Sequence, residues 1–390
     1  MSFNHTFITR LLRYYHGCEA VSADDFTPPN DDQITYLCDL GLGPVAFNTY
    51  GKLLQAENPD GYSLLQSADL TTRVIYRQME SAAAELIKDL QNAGIKPVLL
   101  KGISTAFEYY SPPHLRLMGD IDILIAETEA DAAMSRVAEL GYEISDQDWQ
   151  LYRKKGHHHL PAAYNPDSGI TVEVHTGLFV PNEPMAAEPL FQPENLSAHS
   201  TEFDYKGIRA SRFSPELQFV YTIAHWGVDG GWAINLASIN DVVHILRRHE
   251  AAFDFELLSG WVTANPWIRA NVFALVSYLG HAGMINISPS MEDLLTLAGK
   301  NIYGRRRELL AELLQKYPMN GSAGVPDPYE MERARSLWVE LTRPGYRDTQ
   351  IPLSRLRIAI QSIHHGKYNP LRRLLRIYRY LLSVVRPNAS

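Results

Sequence analysis

Cysteine is scarce. Cys18 and Cys38 are the only two in 390 residues, and no CxxC pair occurs. That excludes a disulfide framework and fits a reducing compartment. Long apolar runs are also missing: no stretch approaches the roughly eighteen residues of a membrane span. The opening MSFNHTFITRLLRYYHG has no continuous apolar centre of the secretory-signal kind. These features lead us to expect a cytoplasmic protein. Positive charge is in deficit as well, with 36 Lys and Arg against 44 Asp and Glu and a net charge of −8. Such a balance disfavours long nucleic acid as a partner. No internal repeat is visible.

Hydrophobic residues make up 45% and charged residues 21%, which is ordinary for a globular chain with ample length for a core. Short helices with loops are expected up to residue 67, one over about 33–40 capped from the Thr27–Asp32 loop and one over about 45–55. Residues 69–93 have helical spacing, with Leu70, Val74, Met79, Ala83, Leu86 and Leu90 on the apolar stripe and Gly94 as the stop. A strand over Lys96–Leu100 follows, then a helix from about Ile103. Asp131–Leu140 is a further helix, and Tyr142–Ile144 is expected to start a strand. His157–Leu160 is taken as strand, Asn165–Gly169 as a turn and Ile170–His175 as a second, alternating strand. Residues 181–212 look irregular, with a short strand near Thr201–Tyr205. From Ser214-Pro215 to about Leu310 the pattern is helical, with breaks at Gly227–Gly231, Gly260 and Gly280.

The segment PVLLKGISTAFEYYSPPHLRLMGDIDILI, residues 97–125, concentrates the chemistry. Asp120 and Asp122 are two apart in an otherwise apolar run. A strand has period two, so both carboxylates face one side and Ile121 and Ile123 the other. Two like charges on a half-buried strand repel, and a divalent cation with oxygen ligands relieves that repulsion. Nucleotidyl transfer through two Mg²⁺ ions needs a third carboxylate on a neighbouring strand, and Glu173, mid-strand among valines, is the candidate. The Lys101-Gly102 turn is suited to phosphate: glycine lets backbone N–H groups approach closely, and the following helix points its positive end at the anion. Ser104 could add a hydroxyl, and Arg116 could reach a phosphate or pair with an aspartate. His175 shares a face with Glu173. His157 and His159 could share a face on a neighbouring strand, either as substrate contacts or as hydrogen-bonded strand histidines. A zinc site is not expected, because three consecutive histidines cannot all face one way on a strand.

LLKG, LRLMGDIDILI and VEVHTGLF resemble the nucleotidyltransferase family proteins of the polymerase-β-like superfamily. The resemblance is to a large bacterial branch with the pattern LKG…R…GDIDLLV…VEIH, and it covers roughly residues 30–250. It implies an α+β fold: a small mixed sheet with flanking helices, N-terminal helices and a C-terminal helical domain. It implies Asp120, Asp122 and Glu173 as metal ligands, with Lys101, Gly102 and Ser104 at the triphosphate. Mg²⁺, with Mn²⁺ as a substitute, and an NTP donor go with it. The superfamily's usual Gly-Ser pair, about ten residues before the aspartates, is replaced here by Lys-Gly further upstream. His225 and Asp241 match a histidine and an aspartate of the branch's helical region and are structural or acceptor-side groups. The expected regions are 1–93 (helical), 94–213 (catalytic core), 214–317 (helical accessory domain) and 318–390 (loop and basic helices).

The acceptor stays open: a small molecule, a peptide or protein, or an RNA end. Two alternatives stand beside this reading. One is a DxD-type glycosyltransferase using a nucleotide-sugar; the other is a catalytically silent nucleotide-binding scaffold. Residues 349–390 carry eight Lys and Arg and no Asp or Glu, with Leu371, Leu374, Leu375, Tyr378, Leu382 and Val385 forming one stripe. A helix packed on the acidic body, contact with an anionic substrate or short RNA, and contact with a membrane surface are the readings of that tail.

Overall fold

The structure is a computed structural model, and it describes residues 7–19, 27–145, 152, 157–181, 183–228, 236–316 and 328–344. The basic tail and most of the 318–330 loop lie outside the described residues. Helices α1 (Phe7–Tyr15), α2 (Asp31–Asp39), α3 (Gly43–Glu57) and α4 (Pro59–Asn92) come first. The helix α2 starts where the sequence places a cap: the Asn30 side chain accepts from Gln33 N at 2.9 Å, and Gln33 Oε1 accepts from Asn30 N at 3.0 Å. The helix α4 is longer than its apolar pattern suggested, beginning at Pro59 rather than near 69. Its inner stripe is Leu65, Asp69, Thr72, Tyr76, Met79, Ala83, Leu86 and Leu90. Leu70 and Val74, expected on that stripe, are exposed. The polar Asp69 and Thr72 occupy the buried face instead, which hydrophobicity alone could not signal.

Gly94, with φ +83°, stops α4. Its N–H donates to Gln91 O while Ile95 N returns to Leu90 O, closing the last turn. The strand that follows is short, β1 (Val98–Leu99), and α5 (Lys101–Tyr109) starts at once rather than near residue 103. After β2 (Ile121–Leu124) come α6 (Ala130–Glu139), β3 (Glu143–Ile144), β4 (Ala163–Asn165), β5 (Ile170–His175), α7 (Pro193–Ala198), β6 (Ser200–Tyr205) and β7 (Ile208–Phe213). The expected strand over His157–Leu160 does not form: His159 makes a single bridge to His175, and only from Ala163 does the chain pair continuously.

Among the described residues the sheet has seven strands in the order β3-β4-β5-β2-β1-β7-β6. It is mixed. The pairs β1–β7 and β2–β5 are parallel, and the other four are antiparallel. Helices α8 (Pro215–Val228), α9 (Leu236–His249), α10 (Phe255–Ala264), α11 (Pro266–His281), α12 (Pro289–Ala298), α13 (Gly304–Lys316) and α14 (Pro328–Thr342) follow among the described residues. Ser214 caps α8 as expected, its Oγ accepting from Leu217 N at 3.3 Å. Gly260 and Gly280 do not break helices; both lie inside them, and the real break between α10 and α11 is at Asn265-Pro266. Proline has no N–H to continue a helix but fits the first position of a new one.

Among the described residues two apolar clusters form. One lies between the sheet and α4 and α6 and includes Leu86, Leu90, Ile121, Ile123, Val137, Val172 and Val174. The other joins α1–α3 to the helices after residue 213, with Ile8, Leu11, Val45, Phe219, Trp226 and Leu275 in one body. The architecture is α+β, and the charged face of β2 and β5 looks away from the first cluster.

Candidate active site

The parallel pairing of β2 and β5 sets Asp122 directly beside Glu173 and Leu124 beside His175. With period two on each strand, Ile121 and Ile123 enter the core while Asp122, Glu173 and His175 share the opposite face. Ligand atoms of those three side chains lie within 4.8 Å of one another. Two carboxylates and an imidazole at that spacing could hold a metal ion. Asp120 stands immediately before β2 and is half-buried. Burial and the nearby charges of Asp122 and Glu173 push its carboxyl up.

Asp122 is 2% exposed and receives two donors on one oxygen. Lys101 Nζ lies 2.8 Å from Oδ1, and His175 Nε2 also lies 2.8 Å from it. Burial works to raise the Asp122 pKa, but the His175 hydrogen bond and the Lys101 charge overcome it and hold the carboxyl well below the usual range. An ionised carboxylate only accepts, so His175 Nε2 carries a hydrogen. His175 Nε2 is also 3.6 Å from Glu173 Oε2, and that contact, the largest influence there, lowers the Glu173 pKa. For His175 itself burial opposes protonation, while Asp122 and Glu173 favour it and raise the pKa.

Lys101 reaches Asp122 from the β1–α5 turn. Its φ is +41°, in the left-handed region that a side chain seldom adopts. No residue intervenes between Leu100, which still bonds to the Asp122 carbonyl at 3.0 Å, and the first turn of α5. The sharp reversal is therefore absorbed at Lys101, a local strain of the kind found at functional sites. Gly102 follows for a packing reason: a Cβ there would come 2.9 Å from Met118 Cγ. Ser104 is buried in α5.

The other expected residues divide. Arg116 pairs with Asp241, not with Asp120 or Asp122; its Nη2 is 2.9 Å from Asp241 Oδ2. His159 lies by His175, ring centres 5.5 Å apart, but His157 stacks on Tyr152 at 3.8 Å. The unexpected neighbour is His158, whose ring centre is 5.4 Å from that of His175. The alternation expected for a strand selected His157 and His159; the irregular backbone presents His158 and His159 instead. Burial first, then the His175 and His159 charges, lower the His158 pKa to about 3. His225 feels Lys101, Asp122 and His175, and burial lowers its pKa to about 3. Tyr221 packs beside His225, with ring centres 5.8 Å apart. Neither Tyr221 nor His158 carries a sequence signal; both are set by packing between elements far apart in the chain.

A family described as "Uncharacterised nucleotidyltransferase" matches residues 31–278, more than half of the chain. The chain belongs to this nucleotidyltransferase family. The match spans α2 through most of α11 and includes every residue of the cluster around Asp122. Among solved structures, an antigenic nucleotidyltransferase-like protein from Paracoccidioides brasiliensis is similar at 18% identity and a TM-score of 0.36, over 53% of this chain and 92% of that one. No curated protein matches.

Proposed function

We propose that this nucleotidyltransferase moves a nucleoside monophosphate from an NTP to a hydroxyl or phosphate acceptor with Mg²⁺ or Mn²⁺ bound by Asp120, Asp122 and Glu173. The supporting observation is the side-by-side register of Asp122 and Glu173 on parallel strands, with carboxylate oxygens of both in one close group. Like charges held that close are costly unless a cation neutralises them. A bound divalent ion would supply charge neutralisation at the transferring phosphoryl group and favour the ionised acceptor oxygen.

The chain's own groups have the following roles in this reading. Asp122, kept ionised by Lys101 and His175, presents its free oxygen to the metal. Glu173, half-buried and ionised, completes the donor set on the acceptor side. Asp120 adds a second oxygen from the residue just before β2. Lys101 and the first backbone N–H groups of α5 receive the donor phosphates, where the helix N-terminus adds favourable partial charge. The helical region after residue 213 supplies His225 and Tyr221 to the wall next to Lys101. Among the described residues no helix is long and apolar enough to cross a membrane.

The test is incubation with each labelled NTP and Mg²⁺, using cell extract as acceptor, alongside Asp120→Ala/Asp122→Ala. Transfer of label with release of pyrophosphate, lost in the double variant, is the expected result. Release of a nucleoside diphosphate from a nucleotide-sugar, or equal labelling by the variant, would overturn the reading.

A further inference from the structure

Asp120 has no ladder partner, because the paired residues of β2 begin at Ile121. Its place is set by the connection over residues 110–119, which runs from the end of α5. Buried carboxylates from outside the sheet grip that connection. Asp241, on α9, accepts from Tyr110 Oη at 2.7 Å, from Arg116 Nε at 3.2 Å and from Arg116 Nη2 at 2.9 Å. One side chain thus fastens both ends of the Tyr110–Arg116 stretch. Between those ends His114 Nε2 lies 2.9 Å from Asp69 Oδ1 on α4. Arg116 also donates through Nη1 to Leu117 O at 2.6 Å, fixing the first peptide of the run into Asp120.

The positions are deeply enclosed. Asp241 is 3% exposed, and Tyr110 is 4% exposed. A Cβ on Gly102 would come 3.5 Å from Arg116 Nη1, so the guanidinium lies against the Lys101-Gly102 turn while bonded to a carboxylate of another region. A buried ion pair is weak grounds for stability, since well-packed apolar residues of similar volume often serve as well. What a carboxylate with three directed donors does supply is a fixed geometry.

We propose that Asp241 is a positioning residue of the active site: through Tyr110 and Arg116 it sets the Asp120 carboxylate against Asp122. This rests on the metal-site reading of Asp120, Asp122 and Glu173. It assigns Asp241 a place behind the site rather than in contact with the acceptor, and it makes the pairing of α9 with the 110–119 connection a condition for metal binding.

The experiment measures Mn²⁺ binding to the full chain without nucleotide, from the electron paramagnetic resonance signal of free Mn²⁺, beside thermal unfolding. The decisive variant replaces the buried pair with apolar residues, Arg116→Met/Asp241→Leu. It is expected to unfold near the wild-type temperature yet bind Mn²⁺ about tenfold more weakly, the scale seen when supports behind metal ligands are removed. A purely structural role predicts that affinity returns with stability, so wild-type Mn²⁺ affinity in this variant overturns the inference. Should the pair not fold, Tyr110→Phe decides. It removes one hydrogen bond and is expected to weaken Mn²⁺ binding about threefold; unchanged affinity overturns the inference there too. Asp122→Asn separates the two levels. Unchanged Mn²⁺ binding in that variant sinks the metal-site reading and the inference with it. Loss of binding there, with retention in the apolar pair, sinks the positioning role alone.

Discussion

Lys101 carries two demands that one ammonium cannot meet at once. It sits 2.8 Å from Asp122 Oδ1, and burial, which opposes its charge, is outweighed by Tyr221 and Asp122, so its pKa rises. It also stands at the N-terminus of α5, where the donor phosphates are proposed to bind. A divalent ion approaching Asp122 meets this cation first. Two unit charges this close interact by about 6 kcal/mol at an effective dielectric of about 20; with Lys101 about a quarter exposed, about 1 kcal/mol is the realistic scale. Lys101→Met should therefore tighten Mn²⁺ binding in the absence of nucleotide by about fivefold and weaken NTP binding. Mn²⁺ resonance titration and equilibrium dialysis of labelled NTP read the two effects separately. Weaker Mn²⁺ binding in the variant would mean that Lys101 supports the carboxylates instead of competing for them. Gly102→Ala probes the adjacent residue: the Met118 contact at 2.9 Å forces α5 or the methionine to move, so activity should fall while the metal affinity of Asp122→Asn stays the reference for complete loss.

At the scale of elements, period-two patterning was the most legible feature. IDIL and ITVEVH each state which side chains are core and which are polar, and the parallel register then brings Asp122 to Glu173 without any further signal. Asn30, Ser214 and Gly94 were equally readable, because caps are local chemistry. Two kinds of feature were not readable. One is a buried polar group satisfied from afar, such as Asp69 with His114, which hid the true inner stripe of α4. The other is glycine inside a helix, where the reason is a neighbour and not the backbone. Gly227 has such a neighbour too, although α8 ends one residue later at Val228, within the stretch read as a break: a Cβ there would come 2.6 Å from Asn271 Cγ on α11. Asn271 is buried and ties its Nδ2 to Trp267 O at 3.2 Å, so it has little room to yield. Gly227→Ala should cost about 1–3 kcal/mol of stability despite alanine's better helix propensity. Urea unfolding tests this; a stabilised variant would mean that α8 and α11 separate easily.

At the scale of the whole molecule, the helices before and after the sheet share one apolar body, and α1 reaches α9 within it. The junction is polar in an apolar setting. His16 Nε2 lies 2.7 Å from Asn240 Oδ1, and the His16 and His244 rings are 4.8 Å apart. Asn240 neighbours Asp241 in the chain, so the junction adjoins the anchor of the 110–119 connection. Burial first, then the charges of His244 and Arg247, lower the His16 pKa from 6.5 to about 3. Burial, then Arg247, lowers the His244 pKa to about 4. The direction of the linkage follows. Above pH 6.5 both histidines are neutral in the folded and the unfolded chain, and their full contribution is present. As pH falls below 6.5 the unfolded chain takes up protons that the folded chain refuses, so stability declines until the folded values are reached. Each such group contributes a slope of about 1.4 kcal/mol per pH unit inside that window. For His16, 5% exposed, the loss between pH 6 and pH 4 is therefore about 2–3 kcal/mol. His16→Gln keeps a donor for Asn240 but cannot titrate. Its unfolding free energy, measured in urea from pH 7 to pH 4, should fall less steeply than that of the wild type, with the two curves separating below pH 6.5. Parallel curves would mean that His16 is protonated in the folded chain, and the α1–α9 junction would then be open to water.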